Sequence, residues 1–450
     1  MTEGGIILDK QSLKEKVSQV IDKNREKIIE LGKKIYDNPE LGYKENFATE
    51  LVAEALKEIG LNPKRNDNLT GCSALADGKA AGPTIAVMGE IDAILVQDHP
   101  DADPETGAVH ACGHNIQTGV MFGAALGLSL GNAFENLSGS VKFMAVPAEE
   151  YVELEYRSQL RDEGKIKYFG GKQELIYRGE LDDVDMALMM HSINSGKEGI
   201  KAIVGPSGNG FIGKKINFIG KESHAGSAPE DGINALNAAV LAMNNINAQR
   251  ETFADEDKIR VHPMITKGGD IVNVVPADVR MESYVRGKNI EGILDANYKV
   301  NRAIKAGAFA VGADVKINDI PGYLPLLDNE ELDNLLVSNL DRMLSEEDIQ
   351  KGASFAGSFD FGDVSHLMPA LHPFFAGVEG DLHTRDFKLV DEELAYIIPA
   401  KSIAMTIIDL LYDQAEEAKV VIDNHEPALT KEEYLELLNK MDKEIEYNAE

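Results

Sequence analysis

The stretch HACGHN, His110 to Asn115, sets two imidazoles and a thiol within six residues, in a chain of 450 that has only ten histidines and two cysteines. Three chemistries suit such a cluster: a site for a borderline divalent cation such as Zn²⁺, a thiol nucleophile beside its base, or ordinary core residues. Cys112 and His114 alternate across one residue, so an extended loop turns both toward one cavity. A second unusual pair, Glu149 and Glu150, ends the run VKFMAVPA (141–148), in which Phe143, Ala145 and Val146 read as buried. Two adjacent anions are costly there unless a proton or a cation neutralises one. One carboxylate then binds metal while the other faces the bound water as general base. His191 and His383 could complete a pair of metal positions that share the Cys112 thiolate. A metal-free thiol hydrolase built on Cys112 remains open at this point, although it leaves the Glu pair without a role.

These residues must be carried on a scaffold, and the apolar spacing predicts one. Residues 11–35 and 46–60 repeat every three to four positions and read as helices. TIAVMGEIDAI (84–94), VKFMAVPA (141–148) and DMALMMH (185–191) read as buried strands, with TGVMFGAALGLSL (118–130) as a buried helix between the first two. Buried strands alternating with helices predict an α/β chain, an αβα sandwich on a mainly parallel sheet. Ligands in such sheets gather at the carboxyl ends of strands, where Glu149, Glu150 and His191 fall. From 208 to 320 the pattern changes to strand, helix, two strands, helix and strand: 210–220, 233–249, 259–269, 274–287, 290–312 and 313–319. That βαββαβ order is a ferredoxin-like unit able to fold alone. We therefore expect an inserted domain at 208–320 between the two halves of the first, 1–207 and 321–450. The latter half holds a helix at about 392–413 and a charged surface helix over 427–450.

Composition removes several partners. The formal net charge of −31 repels phosphate backbones and anionic lipid, so neither nucleic acid nor a membrane surface is expected as partner. No window approaches eighteen continuous apolar residues, and MTEGGIILDKQSLKEK has no basic region leading an apolar run. Two cysteines make no disulfide framework, and a cytoplasmic location is the expectation.

At this point the residues resemble a known family. GEIDAI (89–94), HACGHN (110–115), VPAEE (146–150), MMHS (189–192), SHAGSAP (223–229), NVVP (273–276), YVRG (284–287) and GDLHT (380–384) occur in order. They resemble the amidohydrolase branch of the M20 metallopeptidases, which includes aminobenzoyl-glutamate hydrolases and aminoacylases, over about residues 12 to 415. The resemblance implies a di-metal catalytic domain interrupted by a lid that often carries the contacts of a homodimer. It implies Cys112, His114, Glu150, His191 and His383 as ligands to two divalent ions, Mn²⁺ or Zn²⁺ first, with Co²⁺ or Ni²⁺ as substitutes. It makes Glu149 the general base and acid, and Asp92 the carboxylate that orients a ligand imidazole. His224 would reach the reacting carbonyl, Asn273 would contact substrate near it, and Arg286 would hold a substrate carboxylate.

The implied activity is hydrolysis of the amide bond of an N-acyl or aminobenzoyl amino acid. The alternatives are a dipeptidase of the same family, separable by a substrate panel, and a non-catalytic binder of amino-acid conjugates, which would never turn over. Asn115 and Gln117 stand where many members have other residues, a form resembling the aminobenzoyl-glutamate side. The stretch 151–180 is longer and more charged than the family's usual turn and is expected to reshape the acyl pocket. His372, in ALHPFF, rivals His383, but GDLHT fits the family pattern better. Cys72 reads as a small buried residue, and His110 as structural. In GSFDFGD (357–363), Asp360 and Asp363 sit in either a plain turn or a substrate-facing loop.

Overall fold

The computed structural model describes residues 8–194 and 199–449. Residues 1–7, on which part of the leader reading rests, lie outside that range.

Contacts divide the chain into two units. The first comprises residues 1–207, 327–354 and 364–428. Its larger sheet runs in the order Lys64–Arg65, Cys72–Asp77, Ser138–Val146, Ala80–Glu90, Met186–Leu188, Ala370–Leu371. The last four strands pair in parallel, while Cys72–Asp77 meets both Lys64–Arg65 and Ser138–Val146 antiparallel. Strand Ser138–Val146 is buried almost throughout, which is why its sequence is a continuous apolar run rather than an alternation. Phe143 on it has no accessible surface, a burial that contributes about 2–3 kcal/mol.

Helix His114–Leu130 packs over this sheet with glycines at 119, 123 and 127 facing Tyr396, Ala400 and Ile21. Those small residues let three further helices, Lys10–Lys23, Arg25–Tyr36 and Ile398–Leu411, lie close against it. The predicted first helix is two, broken at Asn24. The helical stretch Glu393–Leu411 is by length and composition apolar enough to cross a bilayer, although Lys401 and Asp409 interrupt it, yet most of it is buried inside the protein. It is a core helix here.

The second unit comprises residues 208–326, 355–363 and 429–450. Strand Gly210–Ile219, helix Ala235–Gln249, strands Arg260–Lys267 and Asp278–Gly287, helix Ile290–Phe309 and strand Asp314–Pro321 follow in the anticipated βαββαβ order. The sheet is antiparallel throughout. Its fifth strand is Lys443–Tyr447, paired with Asp314–Pro321. Here the sequence boundaries need correcting. Residues 427–450 were expected as a surface helix on the first domain, but helix Lys431–Met441 is followed by a sheet strand, and both belong to the second unit, which takes in residues 429–450. The alternation Ile445, Tyr447 among charges is the strand signal that the high charge of the tail obscured.

Candidate metal centre

Five elements of the first unit end around one point, where the gathered side chains are buried except that of His383, which is 47% accessible. Strand Ala80–Glu90 leads to Asp92, Ser138–Val146 to Glu149 and Glu150, and Met186–Leu188 to His191. Cys112 and His114 sit at the start of helix His114–Leu130, and His383 follows strand Phe374–Glu379. Three groups of ligand atoms lie within 4.8 Å of one another: Cys112 with His114 and His191, Cys112 with Glu150 and His383, and Glu90 with His114 and Glu149. Every ligand named from the sequence is in one of them.

Cys112 links the first two groups. Its Sγ is 3.5 Å from His191 Nε2 and 3.3 Å from His383 Nε2. His383 Nε2 is also 3.0 Å from Glu150 Oε1, and His114 Nε2 is 3.7 Å from Glu149 Oε2. The imidazoles are aimed by their other nitrogens. His114 Nδ1 faces the Asp92 carbonyl at 2.9 Å and Asp92 Oδ1 at 3.0 Å, while His191 Nδ1 faces the Ser192 carbonyl at 2.8 Å. This leaves each Nε2 pointing inward. Asp92 does a second task, because its Oδ2 accepts the Glu150 N–H at 2.7 Å. One carboxylate thus fixes a ring and a backbone turn together. Gly113, at φ 84°, admits the sharp entry to the helix, and a Cβ there would stand 2.8 Å from Ser192 Oγ.

The turn carrying Glu149 and Glu150 is held from several sides. Ala148 has φ 57°, an uncommon angle for a residue with a side chain. Its N–H donates to buried Glu45 Oε1 at 2.8 Å, and its carbonyl accepts from Gly171 N at 3.1 Å. Arg157, with 1% of its surface accessible, donates to the carbonyls of Phe169 and Glu150. Those contacts come from the charged stretch 151–180. Its helices Leu154–Asp162 and Gly171–Arg178 bring two buried cations, Arg157 and Lys172, behind the carboxylate turn and Glu90.

The electrostatics are those of a cluster that needs positive charge. Burial alone would lower His383, but Glu150 and Cys112 outweigh it and raise the ring to about 11. His114 is raised well above its ordinary value in the same way, by Glu90, Cys112 and Asp92 against burial. Burial and Glu150 push the Cys112 thiol up, yet His383, His191 and His114 bring it down to about 6. Protons on these rings stand in for the charge that a metal supplies, and a metal must displace them. The residues fit such an ion. Thiolate, imidazole and carboxylate converge, and His114 Nε2 and Glu150 Oε1 are buried with no hydrogen bond among the described residues.

Other residues fall where their chemistry predicts. Burial pushes the Cys72 thiol up to about 12, as befits a packed core residue. Burial and His114 lower His110 to about 3. His372 is buried with its ring 6.1 Å from that of His191, but belongs to none of the three groups. Asn115 bonds the Gly32 carbonyl and Tyr396 Oη, each at 3.2 Å, so the departure at 115 serves helix packing.

In the second unit His224 Nδ1 accepts from Gly226 and Ser227 N–H, both at 3.1 Å, which places the proton of a neutral ring on Nε2. Ala225 N–H donates to the Asn273 carbonyl at 2.9 Å, bringing those two predicted residues side by side. Arg286 lies over the rings of Phe211 and Tyr284 and donates to Ser358 Oγ at 3.4 Å. Asp363 is buried between Tyr434 Oη at 2.8 Å and Leu324 N–H at 3.1 Å, a structural place.

Glu90, Lys172 and Arg157 were missed from sequence. Glu90 had a signal, an acid two residues before Asp92 at the end of a buried run. The two cations had none, because Lys and Arg in a charged stretch read as solvated.

Comparison with known proteins agrees with this geometry. The model of Peptidase family M20/M25/M40 matches residues 86–399, a span that contains every residue of the three groups. The chain is 28% identical over 421 residues to Xaa-Arg dipeptidase of Mus musculus, covering 90% of each protein. It is 28% identical over 437 residues to N-acetyl-L-cysteine deacetylase of Bacillus subtilis, covering 93% of this chain and 96% of the other. Among solved structures, a dinuclear metal-binding peptidase of the M20 family from Bacillus subtilis superposes with a TM-score of 0.64 at 21% identity, covering 87% of this chain and 99% of that one. With a family model matched across most of its length, this chain belongs to Peptidase family M20/M25/M40 and is a metal-dependent hydrolase of C–N amide bonds.

Proposed function

We propose that the chain hydrolyses the amide bond of an N-acyl or aminobenzoyl amino acid that carries a free carboxylate. The observation that carries this reading is the convergence of Cys112, His114, Glu150, His191 and His383, with Glu149 beside them. Those five side chains would hold two divalent ions, Mn²⁺ or Zn²⁺ in the first instance. Such ions supply a water of lowered pKa and polarise a carbonyl. Glu149 takes the proton of that water and returns it to the leaving amine. Asp92 keeps His114 oriented throughout. His224 donates from Nε2 to the developing oxyanion, Asn273 contacts substrate near the reacting carbonyl, and Arg286 pairs with the substrate carboxylate. We further propose a cytoplasmic homodimer joined through the second unit.

Dipeptide hydrolysis is the second reading, favoured by the likeness to a protein named Xaa-Arg dipeptidase. A panel of N-acetyl, N-aminobenzoyl and dipeptide substrates with Mn²⁺, Zn²⁺ or Co²⁺ separates the two. The Glu149→Gln variant should keep its metal and lose turnover by about 10²–10⁴-fold. Near-normal kcat in a metal-loaded Glu149→Gln enzyme would reject Glu149 as the base.

A further inference from the structure

We infer that Glu90 is an additional metal-ligating carboxylate of the centre, held to one-oxygen coordination by Lys172. The inference rests on the di-metal reading above and adds to it a ligand that the resemblance does not assign.

Glu90 ends the buried strand Ala80–Glu90 and has no accessible surface. Its two oxygens are in different circumstances. Oε1 accepts from Lys172 Nζ at 2.5 Å, with both side chains at most 1% accessible. Oε2 is equally buried and makes no hydrogen bond among the described residues. It lies 3.1 Å from His114 Nε2, close enough for an ion pair, but the two atoms are not aligned as donor and acceptor, and Nε2 has no hydrogen bond either.

The reason is on the opposite side of the ring. His114 Nδ1 faces two oxygens of Asp92, so the neutral tautomer carries its proton there and turns a lone pair toward Glu90. Two inward lone pairs at that separation repel unless a cation lies between them, a place that a proton takes in the metal-free site and that a metal takes on displacing it. Glu149 Oε2 belongs to the same group. Ligand atoms about 2.0–2.2 Å from a tetrahedral ion are about 3.4 Å from one another, and His114 Nε2 stands 3.1 Å from Glu90 Oε2 and 3.7 Å from Glu149 Oε2.

Lys172 explains how so buried a carboxylate is kept ionised and aimed. Helix Gly171–Arg178 begins against the turn that carries Glu149, where Gly171 N–H bonds the Ala148 carbonyl. A side chain at 171 would collide with the Pro147 carbonyl, so only glycine lets the helix come this close. The next residue is Lys172. By occupying Oε1 it prevents Glu90 from chelating with both oxygens, and it offsets one negative charge in a pocket that also holds Asp92, Glu149 and Glu150.

The test replaces the pair with neutral groups of similar size, Glu90→Gln/Lys172→Met, so that no charge is left buried alone. Metal-free parent and variant are titrated with Co²⁺ by calorimetry and visible absorption, and melted without metal. The expected result is an apo melting temperature close to the parent's, loss of one Co²⁺ or at least about a tenfold weakening of it, and a changed Co²⁺ spectrum. Two Co²⁺ bound by the variant, with affinities within about threefold of the parent's and the same spectrum, overturn the inference while leaving the di-metal reading intact. A parent that binds no Co²⁺ overturns both. If the double variant does not fold, Glu90→Asp decides on the same readouts. It keeps the charge but shortens the reach, so unchanged Co²⁺ binding overturns the inference and weakened binding of one ion supports it.

Discussion

Each unit buries a lysine against a carboxylate, and the two pairs are finished differently. In the second unit Lys214 Nζ bonds Asp319 Oδ1 and, at 2.6 Å, Asn301 Oδ1. Asp319 Oδ2 accepts from Asn297 at 2.8 Å and Asn301 at 2.7 Å, so both carboxylate oxygens are taken. In the first unit Lys172 satisfies one oxygen of Glu90 and leaves the other facing His114. A buried ion pair that serves the fold closes its own hydrogen bonds. One beside a reaction centre keeps a lone pair in reserve for something that arrives later. Burial and charge are alike in the two places, and the difference lies in the amides, which close the Lys214–Asp319 pair, as Asn339 does for the first unit's Lys14–Asp409 pair, but are missing beside Lys172 and Glu90.

The comparison can be broken most forcefully at Asp319. Asp319→Ala strands the Lys214 ammonium in the core and should destabilise the second unit by about 3–5 kcal/mol in denaturant unfolding, with Co²⁺ binding unchanged. Altered metal affinity in that variant would mean the pair is not purely structural.

A smaller effect follows from pH. Burial lowers Lys214 from 10.5 to about 8, against the pull of Asp319. Between those values the unfolded chain holds the proton more tightly than the folded one, so stability should rise with pH from 8 toward 10.5, by up to about 3 kcal/mol. Unfolding of the parent compared with Lys214→Met/Asp319→Leu at pH 8 and pH 10 isolates this term. A constant difference between the two proteins refutes it.

In the first unit the shift runs the other way, and it is metal binding that responds to pH. His383 is raised from 6.5 to about 11, so without metal it holds a proton at neutral pH that binding must expel. Metal affinity should therefore fall as the medium is acidified, by about tenfold per pH unit for each proton displaced. Calorimetry with Mn²⁺ at pH 6, 7 and 8 measures it, and affinity that does not change with pH would show that no ring must deprotonate.

Much of this was legible before any coordinates. The run TGVMFGAALGLSL reads as a buried helix, and it is one, because a helix packed on several sides is apolar all round. The six elements from 210 to 321 follow from alternation and three-to-four spacing, both of which are local properties of the chain. Cys112, His114, Glu149, Glu150, His191 and His383 were legible as candidates because rare side chains at strand ends, weak signals singly, gain weight when several occur together. The tail was misread since five residues of strand among charges differ little from a solvated helix turn. The burial of Arg157 and Lys172 was not legible for a similar reason: a lysine bound for the core and a lysine bound for water are written identically.

What the amino-acid order determined alone was therefore the periodic scaffold and the kinds of atom offered to a metal, both being set by near neighbours. Which of those atoms meet, which oxygen of Glu90 stays open, and which cation lies behind it were decided only when segments up to 271 residues apart closed on one another. Distances between remote side chains depend on packing the whole unit around them, and no local pattern encodes that.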